Sequence, residues 1–314
     1  MTRQEYESLT RQARDSVITL TSDVMKKQAK IYQKAAKDLA STVKTLPVKL
    51  STSDLYSINM MQALDTLSST ITESLSDNVL DGAARTAKLV SNVDKYHMYT
   101  VGLDKTQVAN IIQTVNEDVV AATVNRVYQD GYTFSQRLWI EGQKTQNNIK
   151  DILNAGISQG RDPFKIAKDI QVYTKDGKKI LLKRYRNLKA GTQEFIDRIP
   201  ENVDYRAMRI VRTEMYNSMR DAEVRSAASN PGTTGLFDWI RQTVEDYGCI
   251  CPDLAAGSPY TREQVPSNPH PNCSCRIQAR LRNQTDYVND LAAWANGADI
   301  PYLDEWAADY GYVK

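Results

Sequence analysis

The chain is poor in residues that most often carry chemistry, with two histidines and four cysteines in 314 residues. It also lacks an uncharged apolar run of about 18 residues, so no transmembrane helix is expected. The N-terminal segment MTRQEYESLTRQARD has no apolar signal core, so export by that route is not expected either. The expected compartment of synthesis is therefore a reducing cytoplasm. Clustered thiols there are more often metal ligands or free thiols than disulfides.

Common catalytic motifs are missing as well. The chain contains no G-x-x-x-x-G-K-[ST], no G-x-G-x-x-G, no G-x-S-x-G and no H-E-x-x-H. These absences count against phosphate loops, dinucleotide-binding turns, nucleophile elbows and common zinc proteases. The second half also lacks E-x-E, the carboxylate pair that an active ADP-ribosyltransferase would need. We therefore do not expect an enzyme.

The composition is that of a folded chain, because 41% of residues are apolar and 25% are charged. The length suggests two domains, or one domain with a long extension. Apolar residues at steps of three and four predict a long N-terminal helix that stops before Pro47. A helix of this length cannot bury its stripe alone, so the stripe must pack on another helix or another chain. We expect Val17, Leu20 and Val24 to form a docking seam.

The rest of the N-terminal region is also predicted to be helical. Further on, the segment 134–170 indicates two helices joined at Gly160, with Asp162 and Pro163 starting the second one. Asp176–Gly177 lies between two strand-like runs and predicts a hairpin turn. A helix is predicted from about Tyr205 to Ala228. The segments 236–246 and 274–281 are predicted to be strands.

Charge is distributed unevenly, although the net charge is only +2. The segment Arg161–Lys189 has ten basic and three acidic residues, whereas Gln284–Lys314 has one lysine and six acids. The first segment could contact DNA phosphates, and the second could dock on a basic partner. The alternative is that both are ordinary solvated faces. The candidate DNA-binding residues are Lys178, Lys179, Lys183, Arg184 and Arg186.

All four cysteines and one histidine lie in one proline-rich segment. Cys249 and Cys251 form one pair, and a loop-like gap separates them from His270, Cys273 and Cys275. Two clusters of soft ligands around such a loop are what a tetrahedral zinc site needs. We favour Cys249, Cys251 and Cys273 with either His270 or Cys275 as ligands of a structural zinc ion. Buried free thiols and a disulfide remain alternatives.

The order of these motifs resembles the Mu F-like minor head proteins, also called phage head morphogenesis proteins. The likeness covers Phe134 to Leu281. One departure is Cys249-Ile-Cys251, where the family usually has two intervening residues. The helical tripeptide Arg212-Thr213-Glu214 belongs to the likeness, and its expected role is an internal Arg–Glu ion pair. The matching residues are Arg212, Thr213, Glu214, Trp239, Asp246, Cys249, Cys251, Leu254, Gly257, His270, Pro271, Cys273 and Cys275.

The resemblance implies a minor capsid protein of a tailed bacteriophage, located inside the capsid and acting in head morphogenesis and in DNA packaging or ejection. It implies the portal protein, the major capsid or scaffold protein and double-stranded phage DNA as partners, with assembly in the host cytoplasm and without a membrane. The alternatives are an ADP-ribosyltransferase-like or other toxin enzyme and a zinc-dependent nucleic-acid-binding module.

The expected fold is a mainly α N-terminal region with a long helix, followed by a small α+β domain with a Cys/His knuckle. We expect a helical docking region over 1–132, a Mu F-like domain over 133–281 and an acidic C-terminal tail over 282–314.

Overall fold

The computed structural model describes the chain except for residues 50, 52, 55, 56, 186, 187, 189–191, 243–248, 267 and 268. The described part is mostly helical, as the sequence predicts, with one small antiparallel sheet. In chain order the helices are α1 Arg3–Lys44, α2 Ile58–Thr100, α3 Lys105–Val124, α4 Phe134–Ser158, α5 Pro163–Leu182, α6 Thr192–Arg198, α7 Tyr205–Ala228, α8 Cys251–Ala256, α9 Gln284–Ala295 and α10 Pro301–Tyr310. The strands are β1 Thr233–Ile240, β2 Tyr260–Thr261 and β3 Arg276–Leu281.

The chain forms two compact units, each built from separate stretches of sequence. The first unit contains Met1–Ser22, Val79–Tyr128 and Arg212–Lys314, and the second contains Asp23–Asn78 and Gln129–Val211. Helices α1, α2 and α7 contribute residues to both units. The units therefore differ from the expected ranges 1–132, 133–281 and 282–314. A long helix has more surface than one small core can cover, so its two halves join different cores.

The apolar stripe of α1 packs within its own chain. Val17, Leu20 and Val24 are buried. Val17 belongs to a cluster in the first unit that also contains Ala87 of α2 and Val119 of α3. The stripe is therefore covered by other helices of the same chain and not by another chain. The docking seam expected on these three residues is therefore not an open surface.

The acidic C-terminal segment also forms part of the first unit. Helices α9 and α10 bury Trp294 and Trp306 against a cluster that includes Val108 and Ile112 of α3. The Trp306 indole donates a hydrogen bond to the carbonyl oxygen of Ser229, at 2.8 Å. Apolar residues thus hold the segment in the core while its acids remain on the outer face, which is the usual division along an amphipathic helix.

The sheet of the first unit has the strand order β2-β1-β3, with antiparallel pairing throughout. Phe237 of β1 lies opposite Tyr260 of β2 and Ala279 of β3, and Trp239 lies opposite Ile277. Strands were expected near β1 and β3. Strand β2 and helix α8, however, lie in a stretch expected to be loop. The strand prediction over residues 243–246 falls outside the described residues.

The second unit contains the helical pair that the sequence predicts. The Asp162 side chain accepts a hydrogen bond from the Lys165 backbone N–H and caps α5, with Pro163 in the first turn. Gly160 has a φ of 71°, the left-handed conformation common after a helix end. Gly156 of α4 permits close packing, since a Cβ there would lie 2.7 Å from Cδ1 of Ile166.

The hairpin expected at Asp176–Gly177 is wrong, because this stretch belongs to α5. Buried residues Ile166, Ile170 and Tyr173 lie in the helical segment before the Asp–Gly pair, and buried Leu181 lies in the helical segment after it. Gly177 locally leaves helical geometry, with a φ of 78°. The next backbone N–H, that of Lys178, donates to the carbonyl oxygen of Glu201 at 2.7 Å. The chain therefore does leave helical geometry at this pair, but the break joins two helical segments and not two strands.

Candidate metal centre

The predicted metal ligands come together in the first unit. We call Cys249, Cys251, His270, Cys273 and Cys275 the Cys/His cluster. The Cys251 sulfur lies 3.1 Å from Nε2 of His270 and 3.6 Å from the Cys273 sulfur. All four cysteines are free thiols.

Among the residues that the structure describes, two groups of three have all their ligand atoms within 4.8 Å of one another. One group is Cys249, Cys251 and His270, and the other is Cys251, Cys273 and Cys275. Cys251 is common to both groups.

Local backbone geometry positions each side of the cluster. Cys251 begins α8, and Pro252 in its first turn has a φ that suits a helix start. On the other side, Asn272 adopts a left-handed φ of 61°. The Asn272 backbone N–H donates to the Thr213 hydroxyl at 3.1 Å, which ties this turn to α7. The turn brings His270 and Cys273 toward Cys251, although 19 or more residues separate them in sequence.

A buried arginine that the sequence analysis did not identify holds the second cysteine pair. Arg220 of α7 donates from Nη1 to the carbonyl oxygens of Cys273 and Cys275, at 2.9 and 3.1 Å. Its Nη2 donates to the Asn217 side chain. Thr213, Asn217 and Arg220 follow the i, i+4, i+7 spacing of one helix face. That spacing is the sequence signal that could have identified Arg220.

The His270 ring is oriented for binding through one nitrogen. Nδ1 lies 2.9 Å from the carbonyl oxygen of Pro271, and only a protonated Nδ1 can form that hydrogen bond as a donor. The Nε2 lone pair then faces Cys251. A backbone partner of this kind commonly sets the tautomer of a metal-binding histidine.

The electrostatics of the thiols are uneven. A hydrogen bond from the Cys273 thiol lowers the pKa of Cys275 to about 5, whereas burial raises the pKa of Cys251 to about 12. The thiolate is the form that binds metal. A soft set of thiolates and an imidazole, closing a loop over a few apolar residues, fits a structural zinc ion. The apolar residues beneath the cluster include Phe237, Trp239 and Ile277.

Glu214 of the Arg-Thr-Glu tripeptide forms a buried Arg–Glu ion pair, as expected. Glu214 is buried and forms an ion pair with Arg126 at 3.0 Å. It also accepts a hydrogen bond from the Tyr128 hydroxyl at 2.8 Å. Arg126 binds Asp221 as well, at 2.6 Å. The partner of Glu214 is therefore an arginine from another part of the chain. Asp246, another residue of the family pattern, lies outside the described residues.

The candidate DNA-binding residues lie in the second unit and differ in exposure. Lys179 and Lys183 are exposed, and Lys178 is half-buried. Arg184 and Arg161 share the buried carboxylate of Asp169, at 2.5 and 2.7 Å, so the Arg184 side chain is engaged in a contact inside the unit. Arg186 lies outside the described residues. Lys178, Lys179 and Lys183 remain the candidates for phosphate contact.

None of the described helices combines the length and apolarity that a membrane crossing requires. No family model, curated protein or solved structure matches the chain.

Proposed function

We propose that the chain is a minor head protein of a tailed bacteriophage, and that its Cys/His cluster binds a structural zinc ion. The supporting observation is that dispersed residues of the Mu F-like pattern meet around one cluster. Thr213 bonds to the turn that precedes Cys273. Trp239 lies in the apolar core that also contains Cys251, Cys273 and Cys275. Residues that resemble a family pattern and also share one site support a common role.

The proposed zinc ion supplies a cross-link and no catalysis. It connects the start of α8 to the residues just before β3, beside the apolar core that contains Phe237, Trp239 and Ile277. A non-enzymatic role agrees with the partners of Glu214, because Arg126 and Tyr128 both donate hydrogen bonds to its carboxylate. A catalytic carboxylate would have to be available to a substrate instead.

The proposed location is the capsid interior after assembly in the host cytoplasm. The proposed partners are the portal protein, the major capsid or scaffold protein, and packaged double-stranded DNA. Because the stripe of α1 is buried within the chain, partner contacts would use other surfaces.

Particle composition tests this proposal. Heads purified from cells producing the phage that encodes this chain should contain it, and intact heads should protect it from protease. Elemental analysis of the purified protein should find zinc. A chain abundant in the lysate but missing from purified heads would overturn the head-protein assignment. Zinc-free protein would overturn the metal assignment separately.

DNA contact has its own test. Replacing Lys178, Lys179 and Lys183 with Ser should lower affinity about equally for all duplex sequences, because phosphate contacts carry no sequence information. The slope of log affinity against log salt should fall by about 2.7, at roughly 0.9 per phosphate contact. The matched control replaces Lys27, Lys30 and Lys34, three exposed lysines of α1. Equal effects of the two triple variants would contradict a specific contact surface.

A further inference from the structure

We propose that Cys251, His270, Cys273 and Cys275 hold the metal ion and that Cys249 remains a free thiol. This assignment rests on the zinc site of the proposed function and specifies its ligands. It differs from the set favoured by the sequence alone, which included Cys249. The structure separates the five candidates by their position, burial and backbone support.

Cys251 belongs to any compact set of ligands. It is the one residue common to the two groups of three, and its sulfur is close to both His270 and Cys273. The question is which residues join it. Zinc in structural sites takes four ligands, so one of the five candidates is left over.

Burial favours the group formed by Cys251, Cys273 and Cys275. All three side chains are buried in the apolar core beside Trp239, whereas Cys249 is only partly buried. Arg220 holds the carbonyl oxygens of both Cys273 and Cys275. Two of the three ligands are thus positioned by a rigid neighbour before any metal binds, which reduces the entropy lost on binding.

The fourth position fits His270 better than Cys249. The His270 ring is oriented by its contact with the Pro271 carbonyl oxygen, and its Nε2 is 3.1 Å from the Cys251 sulfur. Charge supports the same choice. Three thiolates and a neutral imidazole around a divalent ion leave one net negative charge, and the buried guanidinium of Arg220 supplies one positive charge beside it. Four thiolates would leave a second buried charge to compensate, which is costly.

The test compares the outer members of the two Cys-x-Cys pairs in the full-length chain. Cys249→Ser should keep one zinc ion per chain and an unchanged visible spectrum after cobalt substitution. Cys275→Ser should lower zinc affinity by at least about tenfold, the smallest loss typical of disturbed metal sites. His270→Ala should also weaken binding and should change the cobalt spectrum. Alkylation of the native zinc-loaded protein should modify one thiol, identified by mass spectrometry as Cys249.

Each contrary result has a distinct meaning. Loss of zinc from Cys249→Ser, with zinc retained by the wild type, would overturn the ligand assignment alone. Two metal ions per chain would also overturn it, because Cys251 would then bridge the two groups. A wild-type chain that binds no metal would overturn this assignment together with the zinc part of the proposed function.

Discussion

The Cys/His cluster and the α4–α5 pair contrast in how their order is achieved. The α4–α5 pair has local signals at both ends of its connection: Asp162 caps α5, and Gly156 gives Ile166 room to pack. The cluster instead gathers residues from the start of α8, a tight turn and the residue just before β3 beside an apolar core. One region is stabilised by neighbours in sequence and the other by long-range contacts and, in our proposal, by a metal ion.

Two buried carboxylates, one in each unit, differ in their partners. In the first unit, Glu214 has Arg126 and Tyr128 as partners. In the second unit, Glu141 of α4 is buried, and burial raises its pKa to about 7, although Arg206 opposes the shift. Burial raises the pKa of Glu214 as well, although Arg126 and Tyr128 oppose that shift. The two carboxylates therefore differ in their partners and not in the direction of their pKa shifts.

Metal removal should have the largest effect, and it should affect the Cys/His cluster much more than the α4–α5 pair. Chelation should sharply increase hydrogen exchange in peptides covering α8, β2 and the turn before β3, because apparent binding energies of structural zinc reach about 10 kcal/mol or more in small domains. Peptides from α4 and α5 should change little. Unchanged exchange around the cluster after zinc loss would show that side-chain packing alone maintains that region.

Removing the partner of Glu214 should have the next largest effect. Arg126→Met keeps apolar bulk but leaves buried Glu214 uncompensated, so the free energy of unfolding should fall by about 3–5 kcal/mol. Urea denaturation measures the loss. Arg85→Met is the matched control, because Arg85 forms an exposed ion pair with Asp81 in the same unit and such pairs contribute about 0–1 kcal/mol. Adding Glu214→Gln to Arg126→Met should restore part of the stability.

Glu141 should make stability depend on pH. Its folded pKa lies above the unfolded value, so its neutral form favours folding below about pH 4.5 and the molecule loses stability as pH rises toward 7. Glu141→Gln should therefore raise the free energy of unfolding relative to the wild type by about 3 kcal/mol more at pH 8 than at pH 4.5.

The matched control for this pH experiment is Glu73→Gln, an exposed position of α2 in the same unit. Denaturation at both pH values gives the comparison. If Glu141→Gln and the wild type have the same free energy of unfolding at both pH values, other groups in the folded protein already stabilise the charged Glu141 carboxylate.

The helix cap should have the smallest effect. Asp162→Ala removes the side-chain acceptor of the Lys165 backbone N–H and should cost about 1 kcal/mol. Asp176→Ala, an exposed aspartate within α5, is the control and should change stability less. Equal effects would argue against the local capping that distinguishes this region from the cluster.

Sequence patterns predicted best where the determining contacts are local. The bounds of α7 agree with the predicted helix from Tyr205 to Ala228, and the predicted buried face of α3 is buried at Val108 and Ile112. The hairpin prediction at Asp176–Gly177 was wrong because the segments on both sides of the pair are helical and not strands, although the chain does leave helical geometry at Gly177. Helix α8 was missed because its six residues are too few to show a clear period.

By itself, the sequence determined the mainly helical character, the caps at Asp162 and Gly160, and the five candidate metal ligands, because these depend on residue type and short spacing. Only the tertiary structure decided that the α1 stripe is covered within the chain and that Arg126 is the partner of Glu214. It also decided that Arg220 supports the second cysteine pair. Such contacts join residues roughly 50 to 100 positions apart, and the periodicity of a single segment carries no information about which distant segment it meets.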